Sequence, residues 1–127
     1  MNTPALRIFL VENHADTLKW LTLYLEQMGH TVGSAQTVAE ALVLLPQATW
    51  DVLISDIGLP DGNGWELLEQ AKLPAEVFTI AMSGFGMNAD RTRSKSVGYR
   101  HHMLKPFNPD ELDGLLDEAG RELATQR

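Results

Sequence analysis

No cysteine occurs among the 127 residues, which removes disulfides, thiolate metal sites and cysteine nucleophiles together. The absence suits a reducing compartment, and the chain is expected in the cytoplasm. Positive charge is scarce: 10 Lys and Arg stand against 17 Asp and Glu, for a formal charge of −7. That balance speaks against direct nucleic-acid binding. Only Arg91, Arg93, Lys95 and Arg100 gather basic charge locally, and a solvated helix face explains them more simply than a docking patch. No apolar run approaches the roughly 20 residues that span a bilayer, so no membrane insertion is expected. Met1 to Arg7 lacks the basic stretch and apolar core of a signal peptide.

What is present has the size and make-up of one domain, taken as residues 1–127, with 44% apolar and 21% charged residues. Leu6 to Val11, Asp51 to Ser55 and Val77 to Met82 are nearly continuous apolar runs, the pattern of strands buried on both faces of a parallel sheet. Thr31 to Ala35 and Arg100 to Leu104 are weaker runs, suited to sheet edges. Helical patterns lie between them. Leu18, Leu21, Leu25 and Met28 recur at helical spacing before Gly29. Thr37 and Glu40 match a capping box, with Pro46 closing the segment. Asn63 caps a helix through Trp65, Leu67, Leu68 and Ala71, and Asn88 to Val97 forms the least amphipathic helix. Asn108-Pro109-Asp110-Glu111 opens the last one, whose stripe is Leu112, Leu115, Leu116, Ala119 and Leu123.

Five strand–helix units in strict alternation predict a parallel sheet with helices on both faces. Such sheets bind ligands beyond the carboxyl ends of their strands. There the sequence places Glu12 and Asn13, then Asp56, Ser83 and Lys105. Each alone reads as an ordinary turn, cap or solvated residue. Together they converge two carboxylates, an amide, a hydroxyl and an ammonium on one rim.

The stretches Ile8-Phe9-Leu10-Val11-Glu12-Asn13, Ser55-Asp56-Ile57-Gly58-Leu59-Pro60-Asp61-Gly62-Asn63-Gly64, Ala81-Met82-Ser83-Gly84 and Lys105-Pro106-Phe107 resemble, in order, the receiver domain of two-component response regulators. The resemblance implies a flavodoxin-like, doubly wound three-layer α/β/α fold with strand order 2-1-3-4-5. It implies a module that takes a phosphoryl group onto Asp56 from a phosphohistidine of a sensor histidine kinase or histidine phosphotransfer protein. The changed surface would then meet an output partner that the sequence does not name. A carboxylate attacking phosphorus needs charge neutralised and aligned. The resemblance assigns Mg²⁺ to Glu12, the position of Asn13, Asp56 and the backbone carbonyl of Gly58. Ser83 and Lys105 would hold the phosphoryl oxygens. Nothing implies an enzyme beyond the promotion of its own phosphorylation and dephosphorylation. Pro106 is expected after a cis peptide bond.

Four positions depart from the pattern or tune it. Asn13 stands where the family usually has a second acid, so metal binding should be weaker; an amide capping the following helix is an equally good account and compatible with the first. His102 stands where many receivers carry a tyrosine or phenylalanine that turns inward on phosphorylation. It is either a partly exposed strand-edge histidine beside His101 or a ring that titrates near neutral pH. Gly58 and Phe85 occupy the two positions that set phosphoryl lifetime, and neither orients an attacking water, so slow self-dephosphorylation is expected. The rival reading, resting on Asn13, is a receiver-fold docking module independent of phosphorylation. Trp20, Trp50 and Trp65 read as packing or half-exposed residues. No DNA-binding or enzymatic segment is recognisable after the last helix, which suits a stand-alone receiver or one drawn from a larger protein.

Overall fold

The computed structural model describes residues 4–84, 88–106 and 108–126. In chain order its elements are β1 (Arg7–Val11), α1 (Ala15–Gln27), β2 (Thr31–Ala35), α2 (Val38–Leu44), a 3₁₀ turn (Leu45–Gln47) and β3 (Val52–Asp56). A hairpin of β4 (Gly58–Leu59) and β5 (Gly62–Asn63) follows. Then come α3 (Gly64–Ala71), β6 (Phe78–Ser83), α4 (Asn88–Val97), β7 (His101–Leu104) and α5 (Pro109–Gln126). The five main strands form one parallel sheet ordered β2-β1-β3-β6-β7. With the hairpin set aside, that is the expected order 2-1-3-4-5. The hairpin itself was not anticipated.

Side chains alternate across each strand and so build two cores. Ile8 and Leu10 of β1 join Leu21 and Leu25 of α1 and Leu112, Leu116 and Ala119 of α5 on one face. Phe9 and Val11 join Val38 and Ala41 of α2, Trp65 and Leu67 of α3, and Tyr99 on the other. The burial of β1, β3 and β6 on both sides explains why their sequences are apolar without a break.

The local helix signals act as expected. Asn63 Oδ1 accepts from Glu66 N–H at 2.9 Å, and Asn108 Oδ1 accepts from Asp110 N–H at 2.8 Å. Thr37 Oγ1 accepts from Glu40 N–H at 3.1 Å, while the Glu40 carboxylate reaches back to Gln36 N–H at 2.8 Å. Gly29, with φ of 97°, takes the left-handed conformation just past α1. Asn13 is the exception. The residue at the N-cap of α1 is His14, and Asn13 Oδ1 is buried with no hydrogen-bond partner among the described residues. The capping account of Asn13 is therefore wrong: its amide oxygen is enclosed instead of meeting the open N–H groups of the first turn.

Candidate functional site

The carboxyl ends of β1, β3 and β6 bring the polar residues together. Glu12 follows β1 and is fully buried, with its N–H bonded to Ala35 O. Asp56 and Ser83 are the last residues of β3 and β6, each 6% exposed. Glycine is required close by. A Cβ on Gly64 would come within 2.6 Å of the Asp56 carbonyl oxygen, so the start of α3 packs directly on the strand that carries Asp56. Asp61, two residues earlier in the hairpin turn than Asn63, clamps this loop from another side. Its carboxylate accepts from Val38 N–H and Ala39 N–H at 2.8 and 3.0 Å, which holds its pKa below the ordinary value. It caps α2 from 23 residues away.

Lys105 lies after β7, and its peptide bond to Pro106 is cis, as expected. The Lys105 ammonium bonds to Glu12 Oε1 and to Asp56 Oδ2 at 2.9 Å. Burial pushes the Asp56 carboxyl up, and the neighbouring Glu12 charge adds to this against the pull of Lys105. Burial acts on Glu12 too, but Lys105 and the His14 N–H outweigh it and hold its pKa below the ordinary value. Burial would lower Lys105, yet its two carboxylate partners keep it raised. One cation thus holds two acids that would otherwise repel.

The other side of the rim is uncharged. Ser83 Oγ and His102 Nε2 lie 2.8 Å apart, and the second ring nitrogen, Nδ1, lies 2.9 Å from Ser94 Oγ in α4. Trp65 Nε1–H donates to the same Ser94 oxygen at 2.9 Å. His101 points the other way, to Glu118 Oε2 at 3.0 Å, as neighbours in a strand must. His102 is half-buried in the edge strand β7, as one reading of the sequence had it, and its ring is also bonded to Ser83. Burial holds its pKa below the ordinary value, with Arg91 adding to this and Asp90 opposing.

Comparison with known proteins now decides the family. The family model for the response regulator receiver domain matches residues 8–117. The chain belongs to that family. A probable transcriptional regulator, ycf29, of Pyropia yezoensis is 34% identical over 114 residues, which are 87% of this chain and 51% of that protein. The receiver spans about half the length of the first curated relatives it matches. The non-phosphorylated HemR receiver domain of Leptospira biflexa superposes with a TM-score of 0.81 at 30% identity, covering 90% of this chain and 93% of that one. A two-component response regulator from Clostridium difficile reaches 0.88 at 20% identity, covering 93% and 98%, a likeness of fold.

Of the residues singled out in the sequence, the receiver brings Glu12, Asp56 and Lys105 into contact and joins Ser83 to His102. Gly58 is exposed just past β3, in the hairpin, with nothing within 4 Å of where a Cβ would stand. Phe85 lies outside the described residues. Three participants were missed. His14 Nδ1 sits 3.2 Å from Glu12 Oε2, and the pairing of Ser94 and Trp65 with His102 crosses elements far apart in the chain. For Ser94, which is buried on α4, the sequence carries no signal that separates it from its polar neighbours.

The donor set fits a hard divalent cation. Glu12 and Asp56 offer carboxylate oxygens within 4.8 Å of each other; His14, the third group of that cluster, offers a ring nitrogen, which a hard cation does not favour. Asn13, next in the chain to Glu12, has a buried amide oxygen without a hydrogen-bond partner among the described residues. Carboxylate, carbonyl and amide oxygens are what Mg²⁺ accepts.

No described helix is long and apolar enough to cross a membrane. The basic residues Arg91, Arg93 and Lys95 are exposed on α4. Arg100 pairs with Glu122 of α5, in keeping with a solvated face.

Proposed function

We propose that this receiver takes a phosphoryl group onto Asp56 from a partner's phosphohistidine, in the cytoplasm, and thereby alters a partner-binding surface. The observation that carries the reading is the Asp56 carboxylate at the sheet rim, bonded to Lys105 and set beside buried Glu12. An Asp56 oxygen would attack phosphorus as the P–N bond to the donor imidazole breaks, and that imidazole leaves with the bonding electrons and takes a proton. Mg²⁺, held by Glu12, Asp56, the Asn13 amide and the Gly58 carbonyl, would supply charge neutralisation at the phosphoryl oxygens. The protein's own part is positional. Lys105 gives the transferred group a fixed positive charge, and Ser83 gives it a hydroxyl donor. The receiver would turn over no substrate apart from its own aspartyl phosphate.

The raised proton affinity of Asp56 has a consequence for this chemistry. Burial first and the Glu12 charge second work against the Asp56 carboxylate, with Lys105 opposing both; a further cation at the rim would relieve the repulsion from Glu12. Reaction should therefore depend on the metal.

The second reading, a docking module that works without phosphorylation, is favoured by Asn13 alone, because an amide brings no formal charge to the cation. Intact-mass measurement after incubation with acetyl phosphate separates the two. A single added phosphoryl group that requires Mg²⁺ and vanishes in Asp56→Ala supports the acceptor. The absence of an adduct at saturating Mg²⁺ supports the docking module, and its return in Asn13→Asp would name the cause.

A further inference from the structure

Four side chains from four elements lie in one unbroken hydrogen-bonded line: Trp65 at the start of α3, Ser94 in α4, His102 in β7 and Ser83 at the end of β6. Donor chemistry fixes the first bond of that line and allows one consistent direction for the rest. An indole N–H only donates, so Trp65 gives its hydrogen to Ser94 Oγ. A serine hydroxyl that has accepted one bond keeps its own hydrogen and a second lone pair, and the arrangement that uses the hydrogen sends it to His102 Nδ1, 2.9 Å away. A neutral imidazole that accepts at Nδ1 carries its proton on Nε2, and Nε2 lies 2.8 Å from Ser83 Oγ. Ser83 then accepts from the ring, and its own hydrogen is not spent on His102.

We propose that His102 is a positioning residue, fixed by Ser94 as the neutral Nε2–H tautomer, that orients the Ser83 hydroxyl as a donor and links it to Trp65. The proposal rests on the reading of Asp56 as acceptor only in what Ser83 donates to. The line itself exists without a phosphoryl group. Its Trp65 end is buried, Ser94 being 1% exposed and Trp65 9%, while His102 is half-buried; hydrogen bonds in series polarise one another most where water is excluded. Its far end lies under Arg93, whose guanidinium sits 4.2 Å from the centre of the Trp65 ring. A phosphoryl oxygen drawing on the Ser83 hydrogen would thus be felt at the contact between α3 and α4.

This differs from a ring that merely packs. A phenylalanine fills similar space but neither accepts from Ser94 nor donates to Ser83. A glutamine places an N–H near the position of Nε2 and leaves Ser94 without its acceptor. His102→Phe should break both links, and His102→Gln only the one toward Trp65.

The test is ¹⁵N NMR of histidine-labelled protein, with the His102 signals identified by their loss in His102→Phe, together with the Trp65 indole N–H resonance. Beryllofluoride with Mg²⁺ serves as the phosphoryl probe. The expected tautomer is Nε2–H in the free protein. Beryllofluoride should shift the Trp65 indole resonance in the wild type and leave it in place in both His102 variants. Its affinity should fall about tenfold in His102→Phe, equivalent to about 1.4 kcal/mol, and stay within about threefold of wild type in His102→Gln. A dominant Nδ1–H tautomer, or an indole shift that survives in His102→Phe, would overturn the relay. If beryllofluoride moved no resonance at all, the acceptor reading would fall, while the tautomer of the free protein would still judge the relay.

Discussion

The two halves of the rim are built on different physics. On one side Glu12, Asp56 and Lys105 are held by charge, and each shifts the proton affinity of the others. On the other, Ser83, His102, Ser94 and Trp65 are joined by hydrogen bonds in series, in which the tautomer of one ring links the direction of its two bonds. Charge tolerates a moved atom but not a lost partner; a directional chain tolerates neither, though each break costs less. The ionic half is thus where loss of its one cation should be expensive, and the neutral half is where removals should be specific.

Replacing Lys105 breaks that comparison most severely. Lys105→Met leaves two buried carboxylates facing each other and should cost about 3 kcal/mol of metal-free stability, read by urea unfolding. Mg²⁺ should restore part of the loss. Adding an acid is next. Asn13→Asp sets a further carboxylate beside Glu12 and should lower metal-free stability by about 2 kcal/mol, half the roughly 4 kcal/mol of a bare pair at ~4 Å and an effective dielectric of 20. The same change should tighten Mg²⁺ binding, measured by calorimetry. Equal affinity in the two proteins would remove Asn13 as the cause of a weakened site. Removing an acid should do the reverse. Asp56→Asn relieves the like charge that raises the Asp56 pKa and should add about 1 kcal/mol in thermal unfolding without metal.

The neutral half should give the smallest effect, with a distinct pH signature. Burial and Arg91 keep the His102 pKa below its ordinary value, with Asp90 opposing. A base whose folded pKa is depressed stabilises the fold fully above its unfolded value near 6.5, and that stability is lost as pH falls from there through the lower folded value. Buried His30, whose Nδ1 accepts from Leu6 N–H at 3.0 Å, acts in the same sense. Unfolding free energies at pH 7.5 and 5.5 should therefore show a fall on acidification that is smaller in His102→Phe. An unchanged fall would mean that His102 titrates as it does in the unfolded chain.

How much of this was legible in the sequence follows the same division. The strands were visible because burial on both faces leaves an unbroken apolar run, and Thr37, Asn63 and Asn108 were visible as caps because a cap acts within three residues. Glu12, Asp56 and Lys105 could be placed on one rim from strand–helix alternation alone. The roles of Asp61 and Ser94 could not, since one caps a helix 23 residues earlier and the other selects a ring nitrogen across two elements. Asn13 misled for a related reason. Its residue type and position both suit a cap, and only the packing around Glu12 decides that its oxygen is enclosed. Local patterns settle elements; the partners of a polar side chain are settled by which elements meet.

The most direct test of the account is chemical trapping of the acceptor. The protein is incubated with acetyl phosphate and Mg²⁺, reduced with borohydride, digested and sequenced by mass spectrometry. The account predicts that the aspartyl phosphate is reduced at position 56 alone, in a reaction that needs both donor and metal. Reduction at another carboxylate, or none under conditions that saturate the metal, would contradict it.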